Sequence, residues 1–197
     1  MPNRKAQAFG MRFTVRSLTA ADAREMVTWR YPPPYEIYSL QPEDVDELLD
    51  PVMGYVAVVD DDDQGALAGF FCFGSSARVP GGERTELYAD EACDIGLGLR
   101  PDLTGRGYGA AFVNAGIDYA IAHNRPVALR LSVAAFNQRA IHVYERAGFT
   151  PVGRCVSPVG GVETEFVVMR RPTTRPSPGP VDGIKNEEGR YHGEVSD

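Results

Sequence analysis

Met11-Arg-Phe-Thr-Val-Arg-Ser-Leu18 alternates apolar and polar residues, the period of a half-buried strand. Thr19 with Asp22 three residues later marks a helix N-cap, and the pattern predicts a first helix running to about Trp29. Gln41–Asp50, with Pro42 near its first turn and acids behind it, predicts a second. Between them the prolines of Tyr31-Pro-Pro-Pro-Tyr-Glu-Ile-Tyr38 forbid a continuous helix. Two apolar runs, Met53–Val59 and Ala66–Phe73, flank the acidic turn Asp60-Asp-Asp-Asp-Gln-Gly65 and read as a hairpin. Arg78–Arg84 reads as a loop, Asp94–Leu99 as a strand, Gly107–His123 as a helix and Val127–Val133 as a further strand. Asn137 caps another helix that Gly148 ends, and Val152–Val156 and Glu163–Met169 complete a sheet. Met1–Gly10 is polar and unpatterned, a flexible extension. Pro172–Asp197 is Pro, Gly and charge without periodicity and reads as a disordered tail. One domain is therefore expected over residues 11–171.

The most informative stretch is Arg100-Pro-Asp-Leu-Thr-Gly-Arg-Gly-Tyr-Gly109, where Gly105, Gly107 and Gly109 alternate around Arg106 between a strand and a helix. Glycines let a backbone turn with positive φ and approach a ligand closely, and the free N–H groups of the following helix start favour an anion. Such a loop suits a pyrophosphate. Gly105-x-Gly107-x-x-Ala110 also matches the dinucleotide fingerprint, yet that motif needs a tight strand-to-helix turn and an acid about 20 residues on. Arg100–Thr104 intervenes here, and Val127–Val133 supplies no acid. A Walker loop needs Gly-Lys-Ser/Thr, and no lysine is near. A glycine-rich turn without a ligand is the remaining competitor.

Composition narrows the partners. At 197 residues the chain suits one domain with a core that needs no staples. A net charge of −7 argues against nucleic acid or an anionic membrane as partner and makes a cationic substrate easier to accommodate. Cys72, Cys93 and Cys155 are an odd, widely spaced set, and no leader or long apolar span is visible. A soluble, cytoplasmic protein with reduced thiols is expected, its cysteines being small core residues. His123 and His142 lack partner spacing for a metal or a triad and read as surface residues.

Asn137-Gln-Arg-Ala140 followed by Tyr144-Glu-Arg-Ala-Gly-Phe149 gives the spacing N-x-x-A-x-x-x-Y closed by Gly-Phe. Together with the glycine loop it resembles the GNAT superfamily of acetyl-CoA-dependent N-acetyltransferases, over roughly Phe13 to Arg170. The resemblance implies an α/β fold with a mixed, mostly antiparallel sheet splayed between Asp94–Leu99 and Val127–Val133 to admit acetyl-CoA. The family's loop motif, Gln/Arg-x-x-Gly-x-Gly/Ala, lands on Thr104, Gly107 and Gly109, so Thr104 departs from it and offers a single short donor. The cradle implied is Thr104, Gly105, Arg106, Gly107, Tyr108, Gly109 and Ala110, with Arg106 competing as an ordinary surface arginine. Leu97, Gly98 and Leu99 should pair their backbone with the pantetheine arm, and Asn137 should also reach its amides.

Acetyl transfer to an amine needs a base for the amine proton, donors for the oxyanion and an acid for the departing thiolate. Resemblance puts Tyr144 at the coenzyme sulfur as that acid; the competing reading is a core tyrosine on the face Ala140, Val143, Tyr144, Ala147. Asp94-Ile-Gly-Leu-Gly-Leu99 is similar to the Glu-Ile-Gly-x-x-Leu pattern of ribosomal-protein N-terminal acetyltransferases, which makes Asp94 the first candidate base, the competing reading being an ordinary strand-edge acid. Cys93 occupies the position by another alignment, Glu91 competes, and Ser132 stands where some relatives carry a glutamate on the next strand. The resemblance implies that the segment joining the first two helices borders the acceptor side of the cleft; here it carries Tyr31, Tyr35, Glu36 and Tyr38, whose aromatic faces and carboxylate suit a cationic amine, the competing reading being tyrosines that pack the loop onto the sheet. The reaction implied is direct acetylation of a primary amine on a small molecule or a protein N-terminus. The alternative is a coenzyme-binding or regulatory module without turnover.

Overall fold

The computed structural model describes residues 12–173. The expectations for the N-terminal extension and for the tail beyond residue 173 lie outside the described residues; Pro172, read as the tail's first residue, instead ends the last strand, and the Thr173 N–H donates to the Val127 carbonyl. Seven strands form one sheet in the order β1-β2-β3-β4-β5-β7-β6: β1 Phe13–Ser17, β2 Val56–Asp60, β3 Ala66–Phe73, β4 Cys93–Leu99, β5 Ala128–Ala134, β6 Thr150–Val159 and β7 Val162–Pro172. All neighbours are antiparallel except β4 and β5. That mixed, mostly antiparallel sheet is the fold class expected.

The helices are α1 Ala20–Met26, α2 Val45–Leu49, α3 Pro80–Glu83, α4 Gly109–Asn124 and α5 Gln138–Arg146. Both early helices are shorter than the sequence predicts. α1 ends before Trp29, and the first half of the second is a 3₁₀ turn at Pro42–Asp44. The stretch predicted as a loop holds α3, followed by a 3₁₀ turn at Glu86–Tyr88. Pro80 at its first position pre-sets φ for that single turn.

Turn chemistry fixes two hairpins. Asp60 accepts from the Asp62 N–H at 2.9 Å, and Gly65 at φ +76° closes the β2–β3 turn. Gly160 and Gly161, at φ +56° and +80°, join β6 to β7, a pair of left-handed residues that matches strand twist. Gly148, φ +89°, ends α5 as predicted, and the Phe149 N–H closes the cap on the Tyr144 carbonyl at 3.0 Å.

One sheet face is covered by α4 and α5 over Phe71, Ile95, Phe112, Leu129, Leu131 and Phe149. Gly116 allows this approach, because a Cβ there would meet the Phe71 ring at 2.4 Å. The opposite face carries Met26, Trp29 and Leu48 against Ala57 and Leu67, and separately Tyr38, Leu87 and Tyr88 against Ala134 and Val168.

The Thr19–Asp22 cap forms as a full capping box. Arg16 from β1 adds a bidentate pair to the Asp22 carboxylate at 2.6 and 2.9 Å. Hydrogen bonds from Arg16, and then from Thr19, hold that carboxyl down to about 2, against 3.8 ordinarily. A depressed folded value stabilises the protein above the unfolded pKa, and that contribution is lost as pH falls through the folded one. We therefore expect up to about 2 kcal/mol of stability to disappear between roughly pH 4 and pH 2, discounted for the partly exposed Arg16. Acid titration of Asp22→Asn should lack that component; an unchanged acid limb would deny the pair its role.

Candidate active site

β4 and β5 are paired only at Cys93↔Leu129 and Asp94↔Arg130, after which they part. The ion pair at that last register seals the fork. Asp94 accepts from Arg130 Nε at 2.6 Å and Nη2 at 2.9 Å, and from Arg78 Nε at 2.7 Å. Arg130 Nη1 donates to the Leu87 and Asp90 carbonyls, and both guanidiniums lie over the Tyr88 ring. Asp94 and Arg130 are 2% and 1% exposed. This corrects the candidate base: the Asp94 carboxylate is committed to two guanidiniums and does not line the cleft. Glu91 is exposed outside the cleft, and Cys93 packs its sulfur near Asn124.

Beyond the fork the backbone of β4 is half free. The Arg100 N–H donates to Ala68 at 2.8 Å, so alternation turns Gly96 and Gly98 toward β3 and leaves the N–H and C=O of Leu97 and Leu99 facing the gap. Tyr31 donates its hydroxyl to the Leu99 carbonyl at 2.8 Å. Gly98 serves space instead: a Cβ there would lie 2.3 Å from the Phe70 ring, which lines the cleft.

The glycine loop caps the open end. Gly105 and Gly107 have φ +75° and +89°, values that glycine adopts without strain. Among the described residues, no main-chain carbonyl takes the N–H of any residue from Gly105 to Ala111, where α4 begins. A row of free donors thus meets a helix start, the arrangement that binds an anion. Thr104 spends its hydroxyl proton on the Pro101 carbonyl at 2.8 Å; Arg106 is exposed and Tyr108 half-buried, and neither is part of the lining. Arg139 on α5 is the nearer cation, its Nη1 3.4 Å from where a Gly105 Cβ would lie.

These parts enclose a cleft of about 430 Å³. Leu97, Gly98 and Leu99 line it on one side, and Thr104, Gly105, Gly107, Gly109 and Ala110 at its head. Asn137, Arg139, Tyr144 and Arg146 come from α5, and Tyr31 and Tyr35 from the proline-rich segment. Glu36 departs from expectation: it is exposed and lines a separate groove with Phe136, Glu163 and Glu165. Asn137 caps α5 by accepting from the Ala140 N–H at 3.2 Å, and its Nδ2 reaches the Tyr38 hydroxyl at 3.4 Å. Tyr144 is 8% exposed, and burial holds its phenol above its ordinary value, fully protonated at neutral pH. Among the described residues its hydroxyl meets no hydrogen-bond partner.

Sequence reasoning passed over Arg78, Arg130, Tyr88 and Arg139. Arg130 carried a signal, a lone charge inside the apolar run Val127–Val133. The cysteines match their reading, burial pushing the Cys72 thiol up to about 11. Among the described residues, His123 and His142 bond only the carbonyl one turn back on their own helices.

The profile of the acetyltransferase (GNAT) family matches residues 21–149. Mycothiol acetyltransferase of Propionibacterium freudenreichii is 38% identical over 94 residues, 46% of this chain and 26% of that protein. The Streptomyces coelicolor protein of that name is 37% identical over 84 residues, 42% of this chain and 27% of its own length. The alignments therefore span only about a quarter of these curated relatives. Among solved structures, a chimera of Vibrio cholerae spermidine N-acetyltransferase SpeG and hSSAT superposes with TM-score 0.61 at 22% identity, covering 82% of this chain and 95% of that one. A Bacillus anthracis GNAT acetyltransferase gives TM-score 0.62 at 15% identity with the same coverages. The matched profile, laid over a forked β4–β5 cleft headed by a glycine cradle, places this chain in the GNAT acetyltransferase family.

Proposed function

We propose that this chain transfers an acetyl group from acetyl-CoA directly to a primary amine. The observation that carries the reading is the row of free N–H groups from Gly105 to Ala111 opening onto the cleft that Tyr144 lines. The residues fit the coenzyme: the donors suit its pyrophosphate, and the open N–H and C=O of Leu97 with the N–H of Leu99 suit its amide arm. When bound, acetyl-CoA supplies an acetyl group activated as a thioester. Tyr144 holds a proton for the sulfur, and Arg139 adds positive charge beside the cradle. No carboxylate or imidazole lines the cleft among the described residues, so the amine proton is taken to pass to solvent. The names of the similar proteins, mycothiol and spermidine acetyltransferases, support a small-molecule amine as acceptor.

Gly107 gives the test. A Cβ at this position meets nothing within 4 Å, so the fold has room for a side chain, but φ +89° and the cradle do not suit one. Gly107→Val should lower acetyl-CoA affinity by about tenfold or more and stability by only about 1–3 kcal/mol. Unchanged affinity by calorimetry would remove the loop from the site. A coenzyme-binding module without turnover is the second reading, favoured by the lack of a side-chain base in the cleft. Thiol release from acetyl-CoA across an amine panel separates the two, because a binder takes up coenzyme and releases none.

A further inference from the structure

The net charge of −7 invites a polycationic substrate, but the acids are not where a substrate would meet them. Among the described residues none that lines the cleft is Asp or Glu. Asp94, the nearest in sequence, is neutralised by Arg78 and Arg130 behind the fork. Glu36 turns into a different groove. The charged residues of the cleft are Arg139 and Arg146, both on α5, and Arg139 lies 4.7 Å over the Tyr35 ring.

The wall across the sheet from α4 is built of Tyr31, Pro32, Tyr35, Tyr38, Phe70 and Ser132. Its polar atoms are mostly engaged. Tyr31 donates to Leu99, Tyr38 accepts from the Ala134 N–H and Asn137, and Ser132 shares a 2.8 Å bond with Tyr88. A second or third ammonium entering here would lose its hydration and find no carboxylate among the described residues that line the cleft, a cost of several kcal/mol per charge. Long-range attraction by the acidic surface does not offset this, being screened beyond about 8 Å at physiological ionic strength.

Resting on the acetyltransferase reading, we infer that the acceptor is a monoamine on an aromatic or apolar skeleton, and not a polyamine. Ring faces of Tyr31, Tyr35 and Phe70 take the skeleton, while the single nitrogen approaches as the free base. In the transfer, the nitrogen lone pair forms the new C–N bond, the C–S bond breaks with its electrons on sulfur, and the ammonium proton leaves to water.

The experiment compares phenethylamine and spermidine, both primary amines of similar basicity, by thiol release from acetyl-CoA at one pH. The expected result is a kcat/KM for phenethylamine above that for spermidine by about tenfold or more. Ser132→Asp, which keeps an acceptor for Tyr88, should narrow that ratio by about tenfold by placing a carboxylate in the wall. Pro32→Glu repeats the change at an exposed position should the first variant fold poorly. Spermidine turned over as well as phenethylamine, or neither amine turned over while acetyl-CoA binds, overturns the inference and leaves the coenzyme site standing. Absence of acetyl-CoA binding removes the acetyltransferase reading itself, and the inference with it.

Discussion

Asp94→Asn should lower the melting temperature by roughly 10 °C or more while leaving the kcat of the folded fraction within a few-fold of wild type. The substitution keeps the shape and removes the charge. Arg130, 1% exposed, would then be a guanidinium without a full counter-charge inside the protein, a change that costs about 3–5 kcal/mol in buried pairs. Asp94↔Arg130 is also the last paired register before β4 and β5 separate, so the loss falls at the root of the cleft. A base would behave oppositely. Its removal would depress kcat and abolish the acid limb of the pH–rate profile without lowering the melting temperature. Thermal melts with a pH profile of the variant decide between them, and a kinetic collapse in a protein that melts normally would return Asp94 to the chemistry.

Why the sequence did not separate a base from a structural acid at Asp94 has a physical answer. Glu or Asp at the head of a strand entering a glycine loop fixes where the carboxylate sits along the chain, but not which sheet face it takes or what crosses from the next strand. Arg130 is 36 residues away and Arg78 is 16, and only the parallel β4–β5 register and the loop after β3 bring both within 3 Å. The same limit applies to Glu36. Its neighbour Tyr35 faces the cleft, yet the 3₁₀ turn at Tyr35–Tyr38 swings the next residue to a different groove. Features set by local chemistry were legible: the Thr19 cap, the positive φ of Gly105, Gly107 and Gly148, and the hairpin of β2 and β3. Helix bounds were less so: Gln41–Asp50 opens as a 3₁₀ turn at Pro42–Asp44, and the stretch read as a loop holds the single-turn α3.

Tyr144→Phe should reduce kcat by about 10²-fold while acetyl-CoA affinity and melting temperature stay close to wild type. The ring makes the packing case on its own: it is 8% exposed, sits edge-on to Phe149 at 6.2 Å and belongs to the core under α5. Phenylalanine preserves all of that. The hydroxyl has no protein hydrogen-bond partner among the described residues, so deleting it leaves no orphaned group and no stability to lose. What it does have is a place on the cleft wall, with burial holding the proton on oxygen throughout the neutral range. A group so held titrates only far into the alkaline range, so wild-type activity should show no loss from Tyr144 ionisation up to about pH 10. The chemical role and the packing role therefore predict different numbers from one substitution. A 10²-fold fall in single-turnover rate with an unchanged melt assigns the hydroxyl to the leaving sulfur; wild-type turnover in the phenylalanine variant leaves Tyr144 as a core residue that happens to border the coenzyme.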